Sequence, residues 1–232
     1  MVETTASTDR AQIKADLLAY AQTHVDAADG YEKCDTSEAT LKVDGADCKV
    51  SLETKRVWVE GKGYVLVARG DVDGLTIEKF MKFRNSMAES ISKMDPGKVT
   101  VSNVENFHGA DLVVHMQVKM PWPMTNRSLM NAYYWDESQV SNGVYVQCGS
   151  SRGNEKVLED NAKAVGKDVV GSTHIAYIKI EEREGGAKWT QVQCVDMGGS
   201  IPDMMKGKIA ARQAKQGFNT INFILTGSKI KD

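Results

Sequence analysis

The 232-residue sequence has no run of about 18 apolar residues, the minimum for a membrane-spanning helix. Neither charge dominates: 29 basic and 31 acidic residues leave a net charge of −2, which argues against a bulk nucleic-acid binder. Cysteine is scarce, and Cys34, Cys48, Cys148 and Cys194 form no C-x-x-C pair. The stretch Met1 to Arg10 lacks the apolar centre of a secretion signal, so the cysteines are expected to be reduced thiols in a cytoplasmic protein. His24, His108, His115 and His174 make no H-x-x-x-H pattern, and neither a G-x-S-x-G elbow nor a glycine-rich phosphate loop is present. No metal, no cofactor and no common nucleophile is therefore expected.

Proline is scarce as well, with four in the chain, yet two of them bracket a tryptophan in Met120-Pro121-Trp122-Pro123-Met124-Thr125-Asn126-Arg127. Before this stretch, Leu112 to Met120 alternates apolar and polar. After it, Leu129 to Trp135 is an aromatic-rich strand. Neither proline offers an N–H, so the loop cannot extend a sheet. It displays a large apolar ring instead, as a lid over something hydrophobic would.

The remaining pattern predicts a helix from a Ser7 or Thr8 cap to about residue 28, then weaker strands and turns over 31–62, then a better strand from Tyr64 to Asp71. Asp71-Val72-Asp73-Gly74 reads as a turn, since its glycine is misplaced for a calcium loop. A second helix follows, with Ile77, Phe80, Met81, Met87 and Ile91 on its apolar face and Asp95-Pro96-Gly97 as its end. Strands are expected at about 98–107, 110–119, 128–136, 142–149, 172–183 and 187–196, with a long polar connection at 150–170. Ser200, Pro202 and Asp203 open a final helix running to about Leu225. With no repeat and no linker, residues 1–232 are read as one α+β domain whose antiparallel sheet curls around that helix.

One stripe of the final helix carries Ala210, Ala214, Gly217, Phe218, Ile221, Ile224 and Leu225. Its small middle either lets the helix lie close on the sheet or leaves room for a ligand. Methionines, Met205 among them, gather at the loop, the neighbouring strands and the helix start, where an adaptable apolar lining or ordinary gap-filling would use them.

Two segments resemble a known family. Val118 to Arg127 resembles the PFP-(S/T)-(N/D)-R segment of START domains, the steroidogenic-acute-regulatory-related lipid-transfer family. Val195-Asp196-Met197-Gly198-Gly199-Ser200-Ile201-Pro202 resembles the D-x-G-G-x-I-P step that opens their C-terminal helix. The phosphatidylcholine-transfer branch is nearest in motif. The resemblance implies a helix-grip fold: a curved antiparallel sheet wrapped around a long C-terminal helix, with an internal hydrophobic cavity gated by that helix and the 120–127 loop. Tyr133 stands where cholesterol-carrying relatives place an arginine, which favours a phospholipid over a sterol.

From the alternation, Leu112, Val114, Met116 and Val118 give an apolar ligand-facing wall, and Leu129, Asn131, Tyr133 and Trp135 give a mixed one. Met205, Ala210, Ala214 and Phe218 would line it from the helix. Arg127 either contacts a lipid phosphate or forms a structural ion pair. Trp122 either meets a membrane surface or folds back. The expectation is a monomeric lipid carrier in transient contact with membranes. The alternatives are a cyclase- or hydrolase-type enzyme on the same cavity, or a ligand-gated interaction module. His115 or His174 inside the cavity beside a carboxylate would favour the enzyme.

Overall fold

A computed structural model describes the backbone of residues 3–95, 99–104, 109–151, 165–201 and 203–228, the side chains at 3–9, 203, 204 and 206 excepted. Helix α1 (Glu3–Ala27) leads into β1 (Glu32–Val43), β2 (Ala46–Val59) and β3 (Gly63–Asp73). Two short helices, α2 (Ile77–Asn85) and α3 (Met87–Met94), come next. Then follow β4 (Val99–Val104), β5 (Leu112–Val118), β6 (Arg127–Asp136), β7 (Val144–Ser150), β8 (Val169–Val170), β9 (Ser172–Arg183) and β10 (Gly186–Asp196). Helices α4 (Asp203–Ala214) and α5 (Gln216–Thr226) close the described chain.

The strands form one curved sheet in the order β1-β2-β3-β10-β9-β7-β6-β5-β4, antiparallel throughout except for β8, which pairs parallel with β6. Its two faces bury different sets of side chains, because successive residues of a strand point to opposite sides. The outer face packs Val113, Met130, Ala132, Tyr134, Cys148, Ile175 and Tyr177 against Leu17 and Ala21 of α1. Ion pairs at the rim fasten α1 there, Arg10 to Asp111 at 2.6 Å and Lys14 to Asp136 at 2.9 Å. On the inner face, Leu52, Val72, Tyr145, Ile180 and Trp189 meet Phe80 of α2 and Ile221 and Leu225 of α5. Helices α2 and α5 thus cover one end of the inner face, and α3 packs at the β5–β6 end through Met87.

Four sequence expectations change. Residues 31–62 hold two long strands, of 12 and 14 residues, not weak ones. The apolar signal is thin there because β1 is an edge strand rich in Glu, Lys and Thr, held by its ladder to β2. Helix α1 starts at Glu3, so Ser7 and Thr8 lie inside it. The second helix breaks at Ser86, whose hydroxyl donates to the Lys82 carbonyl and competes with the helical ladder. The final helix starts at Asp203, not after Ser200, and divides at Lys215. At that break the Thr54 hydroxyl takes the Ala214 carbonyl at 3.1 Å. Pro96, Gly97 and Pro202, and most of the 150–170 connection, lie outside the described residues.

Candidate functional site

The register aligns the residues that alternation marked. Leu112, Val114, Met116 and Val118 of β5 stand opposite Tyr133, Asn131, Leu129 and Arg127 of β6. Trp135 lies one step further on, opposite Gln147 of β7. Val114 and Tyr133 pack with Met87 of α3, and Leu112, Met116 and Trp135 adjoin them, so all belong to the inner face. The two sides of these strands differ in how well they are sealed. Outer-facing Val113, Met130, Ala132 and Tyr134 are buried under α1; on the inner face Val114, Leu129, Asn131 and Tyr133 are buried too, whereas Leu112, Met116, Val118, Trp135, Ala176 and Ile178 are only half-buried. An apolar wall turned toward a covering helix and still accessible is the surface a hydrophobic guest could occupy.

On the helix side, Met205, Ala210 and Phe218 are half-buried and Ala214 is buried. The small residues of the stripe resolve into close packing at one point. A Cβ built at Gly217 would stand 2.6 Å from Gln191 Oε1, so glycine lets α5 rest on the sheet. The gap beside it, lined by Thr54, Ala68, Gln191, Ala214 and Gly217, is about 10 Å³. Ligand pockets are roughly 300–1,000 Å³. Beneath 214–217 the helix therefore serves as a clamp, and the accessible wall lies across the sheet at β5, β6, β7 and β9.

At the end of that wall the ladder between β5 and β6 stops at Val118 and Arg127. Pro121 and Pro123 lie in the connection, which is closed by Met124 N–H to the Pro121 carbonyl at 3.0 Å and Met120 N–H to Asn126 Oδ1 at 3.2 Å. Trp122 projects from it with 92% of its surface exposed. Arg127 is its opposite, 2% exposed. One of its terminal nitrogens donates to the Thr125 carbonyl, Nε is buried without a partner, and no carboxylate pairs with it among the described residues. The other terminal nitrogen faces Gly199, in the loop that opens α4.

Sequence reasoning missed a polar row beside this wall. Ser151 follows β7 and lies between Asn131 of β6 and Thr173 of β9. Its hydroxyl donates to Asn131 Oδ1 at 3.0 Å and accepts the Thr173 N–H at 2.9 Å. Thr173 pairs with Val195 across a β-bulge, while Ile175 pairs with Cys194 on the outer face. The extra residue His174 thus shifts Thr173 to the inner side. The bulge hid Thr173 from the alternation; Asn131 and Tyr133 were legible. Tyr133 joins the row through a contact with Asn131, and burial, the larger effect, pushes its phenol upward. Gly149 gives that ring its place, since a Cβ there would stand 2.5 Å from it.

The features that would have favoured catalysis lie elsewhere. His115 sits on the outer face, where its Nε2 is 3.1 Å from Ser128 Oγ. Ser128 donates its single proton to Asp168 Oδ2 at 3.0 Å, so His115 is the donor to serine and not its base. Burial holds His115 below its ordinary value against the upward pull of Asp168. His174 has a buried Nε2 with no partner among the described residues, and it is held down by burial and then by Lys62. Burial pushes the Cys148 thiol up to about 12, leaving it protonated and unreactive at neutral pH. No helix among the described residues is long and apolar enough to cross a membrane.

No family model matches the sequence, and no curated protein matches it. Solved structures do. The human StAR-related lipid transfer protein 5 superimposes with a TM-score of 0.66 at 10% identity, over 94% of this chain and 96% of that one. Human STARD10 gives 0.65 at 14% identity, over 91% and 78%. A STAR-related lipid transfer protein from Xanthomonas axonopodis gives 0.56 at 14% identity, over 83% and 97%. The chain therefore has the α+β helix-grip fold of the StAR-related lipid-transfer structures.

Proposed function

We propose that this chain, acting as one unit over residues 1–232, is a cytoplasmic, non-enzymatic lipid carrier that shelters one lipid against the inner face of its sheet. The observation that carries the reading is the half-buried apolar patch of Leu112, Met116, Val118 and Trp135 on the inner face, set among buried Val114, Leu129 and Tyr133, while the apolar residues of the outer face on the same strands are covered by α1. Moving a bare acyl chain through water costs about 0.8 kcal/mol per methylene, or about 12 kcal/mol for sixteen carbons. A dry groove gripped by a helix offsets that cost, and the solved structures sharing the fold carry lipid transfer in their names.

A phospholipid suits the site better than a sterol. Withdrawing a guanidinium from water without a counter-charge is costly, and Arg127 is buried with no paired carboxylate among the described residues. A lipid phosphate at the end of the wall would supply the missing anion through charge-assisted hydrogen bonds. The motifs nearest the phosphatidylcholine-transfer branch agree with this. Trp122 and the 120–127 loop form the gate with α4 and make transient contact with the membrane that supplies the lipid.

Purified protein is expected to retain a lipid visible by native mass spectrometry and to move phosphatidylcholine between vesicles. Failure of both would end the reading. Arg127→Met should leave thermal stability equal or higher, since the buried charge goes, and cut phosphatidylcholine transfer about 10- to 100-fold, the worth of one or two hydrogen bonds to a charged group. Undiminished transfer would remove Arg127 from the site.

A further inference from the structure

We propose that Asn131, Tyr133, Ser151 and Thr173 form a neutral reading point for the ester carbonyl of an acyl lipid, deeper along the wall than Arg127. The inference rests on the carrier reading and specifies what the carrier recognises. Thr173 is 3% exposed, and its Oγ1 is buried without a partner among the described residues. Buried hydroxyls are nearly always satisfied, so an orphan beside an accessible apolar wall marks a ligand contact. Thr173 faces inward with Val195, and its backbone is tied to Ser151 in both directions, by Ser151 N–H to the Thr173 carbonyl at 2.8 Å and by Thr173 N–H to Ser151 Oγ.

The same ties decide which chemistry the row accepts. Ser151 Oγ occupies Asn131 Oδ1, which orients the amide with its N–H groups outward. Its two N–H groups meet Met116 Sδ, at a long 3.7 Å, and the Tyr133 hydroxyl. The acceptor of Asn131 is therefore used and one of its two donors meets only a weak sulfur acceptor, beside a Thr173 hydroxyl with no partner among the described residues. A group that only accepts completes the row, and an ester carbonyl is such a group. No charged side chain belongs to it, so a phosphate is matched elsewhere. Asn131 lies four residues beyond Arg127 on β6, about 14 Å at roughly 3.4 Å per residue. Allowing for the reach of the arginine, that spacing can hold the phosphate at one point and the acyl ester at the other.

The experiment compares full-chain protein taking up diacyl phosphatidylcholine and its dialkyl ether analogue from vesicles, and likewise diacylglycerol and dialkylglycerol. The ethers lack only the carbonyls. The wild type is expected to favour the ester in at least one pair by about five- to tenfold, as one or two neutral hydrogen bonds provide. The pair that responds identifies whether the ester belongs to a phospholipid or to a neutral acylglycerol. Thr173→Val keeps the shape, removes an unpartnered hydroxyl and should shrink the preference severalfold. Equal uptake of ester and ether by the wild type in both pairs overturns the reading point while the carrier stands. An unchanged preference in Thr173→Val overturns the assignment of Thr173. If no lipid of either linkage moves, the carrier reading fails and this inference with it.

Discussion

Replacing Trp122 by alanine separates the fold from the proposed membrane contact. With 92% of the side chain exposed, the folded state gains almost nothing from it. Of a side-chain area of about 250 Å², about 20 Å² is buried, a contribution of about 0.5 kcal/mol at roughly 25 cal/mol per Å². The melting temperature should therefore move by no more than a few degrees. Contact with a bilayer has the opposite arithmetic. If half the ring enters the interface, about 125 Å² leaves water, or about 3 kcal/mol, on the order of a hundredfold in vesicle affinity. Co-sedimentation with vesicles and the rate of fluorescent-lipid transfer should both fall steeply in Trp122→Ala, while the melt stays close to that of the wild type. Wild-type transfer in the variant would refute the reasoning, and so would a large loss of stability, which would mean that the ring packs back onto the protein.

Two further outcomes test the fold that carries the site. Ile221 is fully buried where α5 grips the inner face, so Ile221→Ala should lower unfolding free energy by about 2–5 kcal/mol in a denaturant titration; a cost under about 1 kcal/mol would mean that the clamp is loose. Acid should weaken the protein early. His24, His115 and His174 all lie below their ordinary value of 6.5, with burial as the main cause in each. The unfolded chain binds these protons first as the pH falls, so the stability that the neutral rings allow is complete above about 6.5 and is lost as the pH falls through their lower folded values. The denaturant midpoint should drop between about pH 7.5 and about pH 5.5, and equal midpoints would contradict the burial of these rings.

Much of this protein is legible from period and punctuation. The alternation from Leu112 to Val118 and from Leu129 to Trp135 identified the inner face, because the strands are long, antiparallel and bounded by a loop whose prolines cannot pair. The final helix was legible from its apolar stripe, and the two START-like motifs flagged the helix-grip arrangement. The edge strand β1 was faint because its charged side chains face solvent, and its place comes from hydrogen bonds that leave no mark on composition. Local sequence also left the breaks at Ser86 and Lys215 unmarked. The latter coincides with a contact from Thr54, distant in the chain.

By itself, the sequence determined which residues share a face, since a two-residue period acts over a few neighbours. Only the tertiary structure decided what each face meets. It sealed the outer face under α1 and set Gly217 down on Gln191, turning the small stripe into a clamp. It buried Arg127 away from any described carboxylate and, through a bulge at His174, turned Thr173 inward to join Asn131 and Ser151. The physical reason is range. Periodicity is written in bonds between neighbours, whereas burial, pairing and an unmet hydrogen bond depend on strands that the chain brings together from far apart.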